Sequence, residues 1–384
     1  MNQELKDFGE RVKDNILDYL PENYKNAEPK IGEILKNNGE RLLGLTLHTE
    51  DSNVAPTFYL ESAFKRLEGG ESFEAVMTDI AVALDKACQK DIMIEASDVT
   101  KMITEFDQAK DHLRCKLVNT EMNEDYLKDK PHTDFQDLSC IYLVDVSVGS
   151  PDGGNASVTI TNQIMEQYNI STEELHQVAM ENMEKNHPHK FQSMNEIIAE
   201  MMMGGYLEQG MSAEEAKEAA NNMVEMMGGG SEVVMHVLSN EDKLYGAAAM
   251  LDTKTMDEIA EKVGGDFYVL PSSVHEVIVV PKDIADKGYE ALQDMVHEVN
   301  ETQVSPEERL SDHVYQYDAA NHELVRCDLA AEKNKEKLVN HAETKEERQS
   351  TKELLNECKK EAKEREANRP NPEKTKSKKL EIGE

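Results

Sequence analysis

Apolar positions recur at helical spacing from the start of the chain. Leu5, Phe8, Val12, Ile16 and Leu20 share one face, Leu17 and Tyr19 lie at its edges, and Pro21 ends the helix. Two apolar runs, Lys30–Leu35 and Arg41–His48, flank Asn37-Asn38-Gly39, and an Asn-Gly pair between such runs predicts a β-hairpin. Pro56 precedes a helix near Tyr59–Leu67, Gly69-Gly70 breaks it, and Ser72 caps a longer one reaching about Cys88. Residues 95–118 read as helical, with Val99, Ile103, Phe106 and Leu113 in step. Leu138–Val148 has the apolar density of a buried strand. The turn Ser150-Pro-Asp-Gly-Gly leads to a second strand at Ala156–Thr161. Ser171-Thr-Glu-Glu is a capping box that opens a helix through about Met183.

The texture changes at residues 194–230. Eight methionines, from Met194 to Met227, are spread over a segment broken by Gly204-Gly205 and Gly228-Gly229-Gly230, with Ser212 as a helix cap. It reads as a helical hairpin between two sheet-forming regions. Methionine is adaptable enough to serve a binding face, although it more often fills irregular core gaps. A β-rich stretch follows, with strands at Glu232–Leu238 and Leu244–Leu251 and a helix from Asp252 to Val263 stopped by Gly264-Gly265. Asp266–Leu270 and Val274–Val280 form a hairpin around Pro271-Ser272-Ser273. Ile284–Val299 is an amphipathic helix, Ser305-Pro-Glu-Glu a short one, and Val314–Tyr317 with Glu323–Val325 a closing hairpin.

Strands that come two to a hairpin, instead of alternating with helices, predict an α+β fold of antiparallel sheets with packed helices. The expected division is an N-terminal α+β subdomain at 1–193, the Met-rich helical insert at 194–230, a β-rich subdomain at 231–328, and a charged tail at 329–384, helical and then disordered. The tail's apolar residues Leu338, Val339, Leu354 and Leu355 are too sparse for a coiled coil.

Charge sharpens this picture. The chain of 384 residues has a net charge of −35. Residues 331–384 carry 15 Lys and Arg against 13 Asp and Glu, which leaves 27 against 64 in residues 1–330. A body that acidic repels nucleic-acid phosphates and anionic membranes. The N-terminus lacks the apolar core of a signal peptide, and no run approaches the roughly 18 apolar residues of a membrane span. Five widely spaced cysteines form no CxxC or zinc-knuckle pattern and read as free thiols in a reducing cytoplasm.

Candidate chemistry centres on DFYVLPSSVHEVIVVP, residues 266–281. Ser273 and His275 lie two apart and can share a strand face, whereas His275 and Glu276 cannot. A nucleophilic serine needs a base in reach and a third group to orient that base. Asp266 or Glu298 are the candidates for that acid, and Tyr268, Ser272 and Glu276 are candidate binding residues. A structural turn serine is the plainer reading. Metal and phosphate motifs do not emerge: His275, His297 and His322 each precede an acidic residue but lack the second histidine of a metalloprotease helix. His187-Pro-His189 has no thiol or carboxylate beside it, and Gly228-Gly-Gly-Ser lacks the lysine of a P-loop.

Several stretches resemble the signature of an uncharacterised bacterial domain-of-unknown-function family. These are DFYVLPSSVHEVIVVP, VLSNEDKLYGAAAML (237–251), EVNETQVSPEERLSDHVYQYD (298–318), LVNTEMNEDYLKDKPHTDFQDLSCIYLV (117–144), STEELHQVAMENM (171–183) and TFYLESAFKRLEGG (57–70). The resemblance covers most of residues 1–325. It implies an intracellular bacterial protein of a kind often found on mobile elements, and it carries no activity, fold or catalytic residues. The Met-rich segment and the tail look like departures from the family pattern. The expectation is therefore a non-enzymatic cytoplasmic protein with an acidic surface that binds or regulates another protein, with no cofactor, metal, membrane or nucleic acid. The competing expectations are a hydrolase-like enzyme using Ser273 and His275, and an acidic mimic of nucleic acid that occupies a basic protein.

Overall fold

The computed structural model describes residues 2–48, 57–89, 96–146, 157–227, 235–284, 288–331 and 359–360. Residues 1–327 form one compact unit and 328–384 a second. Of the second, only 328–331 and 359–360 are described, so the expected charged helical tail lies almost wholly outside the described residues.

The first layer is local in sequence. Helix α1 (Gln3–Asn15) is capped by the Asn2 side chain and buries Leu5, Phe8 and Val12. It packs on a three-stranded antiparallel sheet of β1 (Glu28–Leu35), β2 (Arg41–His48) and β3 (Thr57–Tyr59). The turn between β1 and β2 places Asn38 and Gly39 in left-handed backbone, at φ 59° and 72°, which these residue types adopt most readily. Helices α2 (Glu61–Glu68) and α3 (Phe73–Gln89) complete a separate core around Leu45, Leu60, Met77 and Ile80.

The next stretch departs from the predicted long helix at 95–118. Helix α4 (Ala96–Thr104) and the short α5 (Phe106–Ala109) give way to strand β4 (Leu113–Asn119). The reason is a change of period: Leu113, Cys115 and Leu117 alternate with Arg114 and Lys116, so apolar residues fall on one side of a strand. After α6 (Glu124–Leu127) come β5 (His132–Phe135), β6 (Leu138–Asp145) and β7 (Ser157–Thr159). The sheet is antiparallel, with β4 on one edge of β6 and β5 and β7 sharing the other. Helices α7 (Asn162–Tyr168) and α8 (Thr172–Asn186) follow; Ser171 caps α8, which lies on β4.

A six-stranded antiparallel sheet forms the rest, in the order β13-β12-β10-β11-β9-β8. Its members are β8 (His189–Ser193), β9 (His236–Asn240), β10 (Phe267–Leu270), β11 (Val277–Pro281), β12 (Tyr315–Asp318) and β13 (Glu323–Arg326). Helices α9 (Met194–Glu208) and α10 (Ala213–Met226) leave the sheet between β8 and β9, which pair with each other. Helices α11 (Thr253–Val263) and α12 (Gly288–Thr302) match the predicted amphipathic segments. The predicted strand at 244–251 is instead a 3-10 helix, Gly246–Leu251. Gly246, Ala247, Ala248, Ala249 and Met250 are all buried, and a run of small residues buried on every side need not alternate as a strand does.

The largest core crosses both lines drawn in the sequence at 193 and 231. It joins Leu113, Tyr142 and Leu175 to Leu238, Phe267 and Tyr315. The four-stranded and six-stranded sheets thus share one interior.

Candidate functional site

The Ser273–His275 segment is not the tight hairpin that the sequence predicts. Strands β10 and β11 pair with Leu270 opposite Ile278, so the last pair encloses the seven-residue connection 271–277. Its first half turns toward residues 308–311. Leu310 and Ser311 donate to the carbonyls of Ser272 and Pro271, Val274 donates to Glu308, and Ser273 bridges Arg309. Proline at 271 supplies no N–H to the β10–β11 ladder, and its carbonyl is used elsewhere.

Within that connection Ser273 and His275 have separate tasks. Ser273 Oγ accepts the His275 backbone N–H at 3.1 Å. The His275 ring stacks on Tyr245, with centroids 5.6 Å apart. Its Nδ1 accepts the Tyr245 N–H at 3.3 Å and its Nε2 lies 3.4 Å from Glu308. Among the described residues, no hydrogen bond joins the Ser273 hydroxyl to the imidazole. The other candidates are dispersed. Asp266 sits beyond the far end of β10, paired with Lys282 at 3.3 Å. Glu298 and Glu276 are exposed. Ser272 is half-buried and serves through its backbone, and Tyr268 is packed among Leu270, Val280 and Val296, where burial pushes its phenol up. His187 and His189 also part company: His187 faces Asp145 and Asp242, while His189 faces Glu258.

Around Tyr245 the structure gathers side chains that the sequence leaves unconnected. Tyr245 has left-handed backbone, φ 56°, unusual for a bulky residue. Its neighbour Gly246 is pressed so close to Ser239 and to the His275 carbonyl that an added Cβ would stand 2.5 Å from Ser239 Oγ and 2.7 Å from His275 O. Arg114 and Lys116 of β4 place their cations 5.7 and 4.9 Å from the Tyr245 ring centre. Arg114 is satisfied by Asp145, by Asp242 and by the Leu244 carbonyl. The Lys116 ammonium has no hydrogen bond among the described residues, and burial, with Lys36 nearby, pushes it down to about 8. The strand pattern Leu113–Cys115–Leu117 was the signal that could have placed these two cations on one face.

The surface that stands out is the α9–α10 hairpin. Ser193 with Glu196 and Ser212 with Glu215 form reciprocal capping boxes, so both helices satisfy their own first turns. Gly210, at φ 90°, makes the turn between them. Helix α10 packs on α9 and buries Ala216, Ala220 and Val224, spaced four apart. Helix α9 carries Ile197, Ile198, Met201, Met202, Met203, Tyr206 and Leu207, yet none of its residues is buried. Met201 is 73% exposed, Met226 83% and Met227 67%. The charged residues between them are glutamates, at 196, 200 and 208 on α9 and 214, 215, 218 and 225 on α10, with Lys217 the single cation.

The segments that line the Tyr245 site, 237–251 and 266–281, lie inside a family match. This chain belongs to DUF5688, a family of unknown function, whose model matches residues 5–319. No curated protein and no solved structure matches it. The DUF5688 match runs from α1 into the residues after β12, spans the Met-rich segment, and stops before the charged tail. No helix among the described residues is long and apolar enough to cross a membrane.

Proposed function

We propose that this chain is a non-enzymatic binding protein whose α9–α10 hairpin docks a cationic amphipathic helix of another protein. One observation carries the reading: α9 is apolar on most of its circumference, and no residue of it is buried. A helix of that composition is normally covered on all sides, yet α9, beside its packing on α10 and β8, leaves Met201 and Leu207 exposed. Exposed methionines adapt to an incoming apolar face at little conformational cost, as helix-in-groove recognition requires. Seven glutamates against one lysine select for basic residues flanking that face. The capping boxes keep both helices formed before the partner arrives, which lowers the ordering cost of binding.

The surrounding charge supports the same reading, because an acidic body favours cationic partners and disfavours nucleic-acid phosphates. A reducing cytoplasmic setting is part of it, supported by Cys88, Cys115, Cys140 and Cys327 standing as free thiols. The separate engagements of Ser273 and His275 favour binding over hydrolysis.

The test is a titration of the full chain into a labelled Leu/Lys amphipathic helix, beside a peptide of equal charge with its leucines scattered around the helix. The amphipathic peptide should bind saturably, and Met201→Glu with Met226→Glu should weaken it by about tenfold or more. Equal binding of both peptides would reduce the interaction to general charge attraction and overturn the proposal.

A further inference from the structure

A second constellation lies in the main core, away from the hairpin. Cys115 of β4, Cys140 of β6 and His176 of α8 bring a thiol, a thiol and an imidazole nitrogen within 4.8 Å of one another. Both thiols are fully buried and the imidazole is half-buried. Among the described residues this is the one group of three such side chains close enough to share an ion. Three different elements contribute, so the grouping follows from tertiary packing and not from any spacing in the sequence.

The strand register decides between two chemistries for the thiols. Cys115 stands opposite Tyr142, and Cys140 opposite Leu117, so the cysteines are diagonal neighbours, two positions out of register. Diagonal Cα atoms in an antiparallel pair lie about 7–8 Å apart, beyond the roughly 4.4–6.8 Å that a disulfide spans. A metal bridge is longer. Zinc bonds of about 2.3 Å to each thiolate put tetrahedral sulfurs about 3.8 Å apart, within reach of the observed grouping.

The surroundings fit a ligand set. Tyr142 Oη lies 3.0 Å from His176 Nδ1 and 2.6 Å from Thr133 Oγ1. If the imidazole donates its Nδ1 proton to Tyr142, and Tyr142 donates to Thr133, Nε2 is left with a free lone pair. That is the outer-shell arrangement which fixes the tautomer of metal-bound histidines. One turn along α8 from His176, Met180 sets its Sδ 3.7 Å from Cys115 Sγ, giving the fourth side a soft thioether.

We propose that Cys115, Cys140 and His176 bind one zinc ion that ties α8 to β4 and β6. Two thiolates and a neutral imidazole cancel the charge of Zn²⁺, which burial demands; a cuprous ion in the same set would leave net negative charge in the core. Binding releases the two thiol protons to solvent, so the site carries no formal charge once filled. The role is structural, and independent of the hairpin.

The experiment is to refold the full chain with zinc, dialyse it, measure bound metal by mass spectrometry, and repeat with cobalt to record the absorption spectrum. One zinc per chain is expected, together with sulfur-to-cobalt charge transfer and the strong visible bands of tetrahedral cobalt. His176→Ala, at a half-buried position, should keep the fold by circular dichroism and lose tight binding. Tyr142→Phe should retain one metal at about 10–100-fold lower affinity. A chain that retains no zinc, or a Cys115→Ser, Cys140→Ser variant that keeps wild-type stoichiometry and spectrum, would overturn the assignment.

Discussion

Cys115 and Cys140 sit on adjacent antiparallel strands but never face each other: Tyr142 stands opposite the first and Leu117 opposite the second. The offset holds two buried thiols near one another while denying them the geometry of a bond. Under mild oxidation by oxidised glutathione the pair should therefore stay reduced. Intact-mass measurement followed by peptide mapping checks this. A Cys115–Cys140 crosslink, formed with the fold retained, would contradict the register argument.

Lys116 points away from those thiols, on the opposite face of β4, and is a half-buried cation set over the Tyr245 ring. Its folded-state value of about 8 lies below the ordinary 10.5. Below pH 8 the lysine is charged in both folded and unfolded chains, and the folded one bears the desolvation cost. Between about pH 8 and 10.5 the unfolded chain holds the extra proton, so stability rises with pH. Lys116→Met should accordingly stabilise the protein at pH 7 by up to about 3 kcal/mol, the free energy equivalent of that shift. The gain should vanish by about pH 10.5. Urea denaturation across this range measures it; a gain that does not change with pH would show that packing, not charge, is responsible.

Gly246 allows the Tyr245 loop to approach Ser239 and the His275 carbonyl. Gly246→Ala puts a methyl group 2.7 Å from two backbone atoms, Asn240 N and His275 O, which cannot rotate away. A loss of about 1–3 kcal/mol is expected, as for overpacking elsewhere. A denaturation midpoint equal to wild type would mean that the loop moves freely and that the Tyr245–His275 stack is not held in place.

Much of the fold was legible because many of its signals are local. Asn37-Asn38-Gly39 marked the first hairpin, Ser171 and Ser212 marked helix starts, and Gly264 a helix end, each through backbone groups within a few residues. Strand β4 was not legible because its first residue, Leu113, continues the helical step of Val99, Ile103 and Phe106. The two-residue alternation is visible only once the helix is allowed to end. The run at 246–251 failed for a different reason, since residues buried on every side have no period to read.

The site was harder still. Proximity in sequence put Ser273 beside His275, but the partners of that imidazole come from Tyr245 and Glu308, about 30 residues away on either side. Cys115, Cys140 and His176 meet only after β4 and β6 have paired within one sheet and α8 has packed against it. The Met-rich hairpin is the partial exception: its two-helix form and the Ser212 cap were readable from composition and spacing, but α9 runs through the expected break at Gly204-Gly205 and the chain turns at Gly210 instead. Its exposure needed the structure, because methionine suits a core and a docking face equally well.

Methionine-methyl NMR of the full chain, recorded as the Leu/Lys amphipathic helix is added, tests the docking surface residue by residue. Selective shifts are expected for Met201, Met226 and Met227, the most exposed methionines of the hairpin, with the buried Met77, Met250 and Met256 unmoved. Uniform small shifts, or shifts confined to methyl groups outside residues 194–227, would contradict the hairpin as the docking surface.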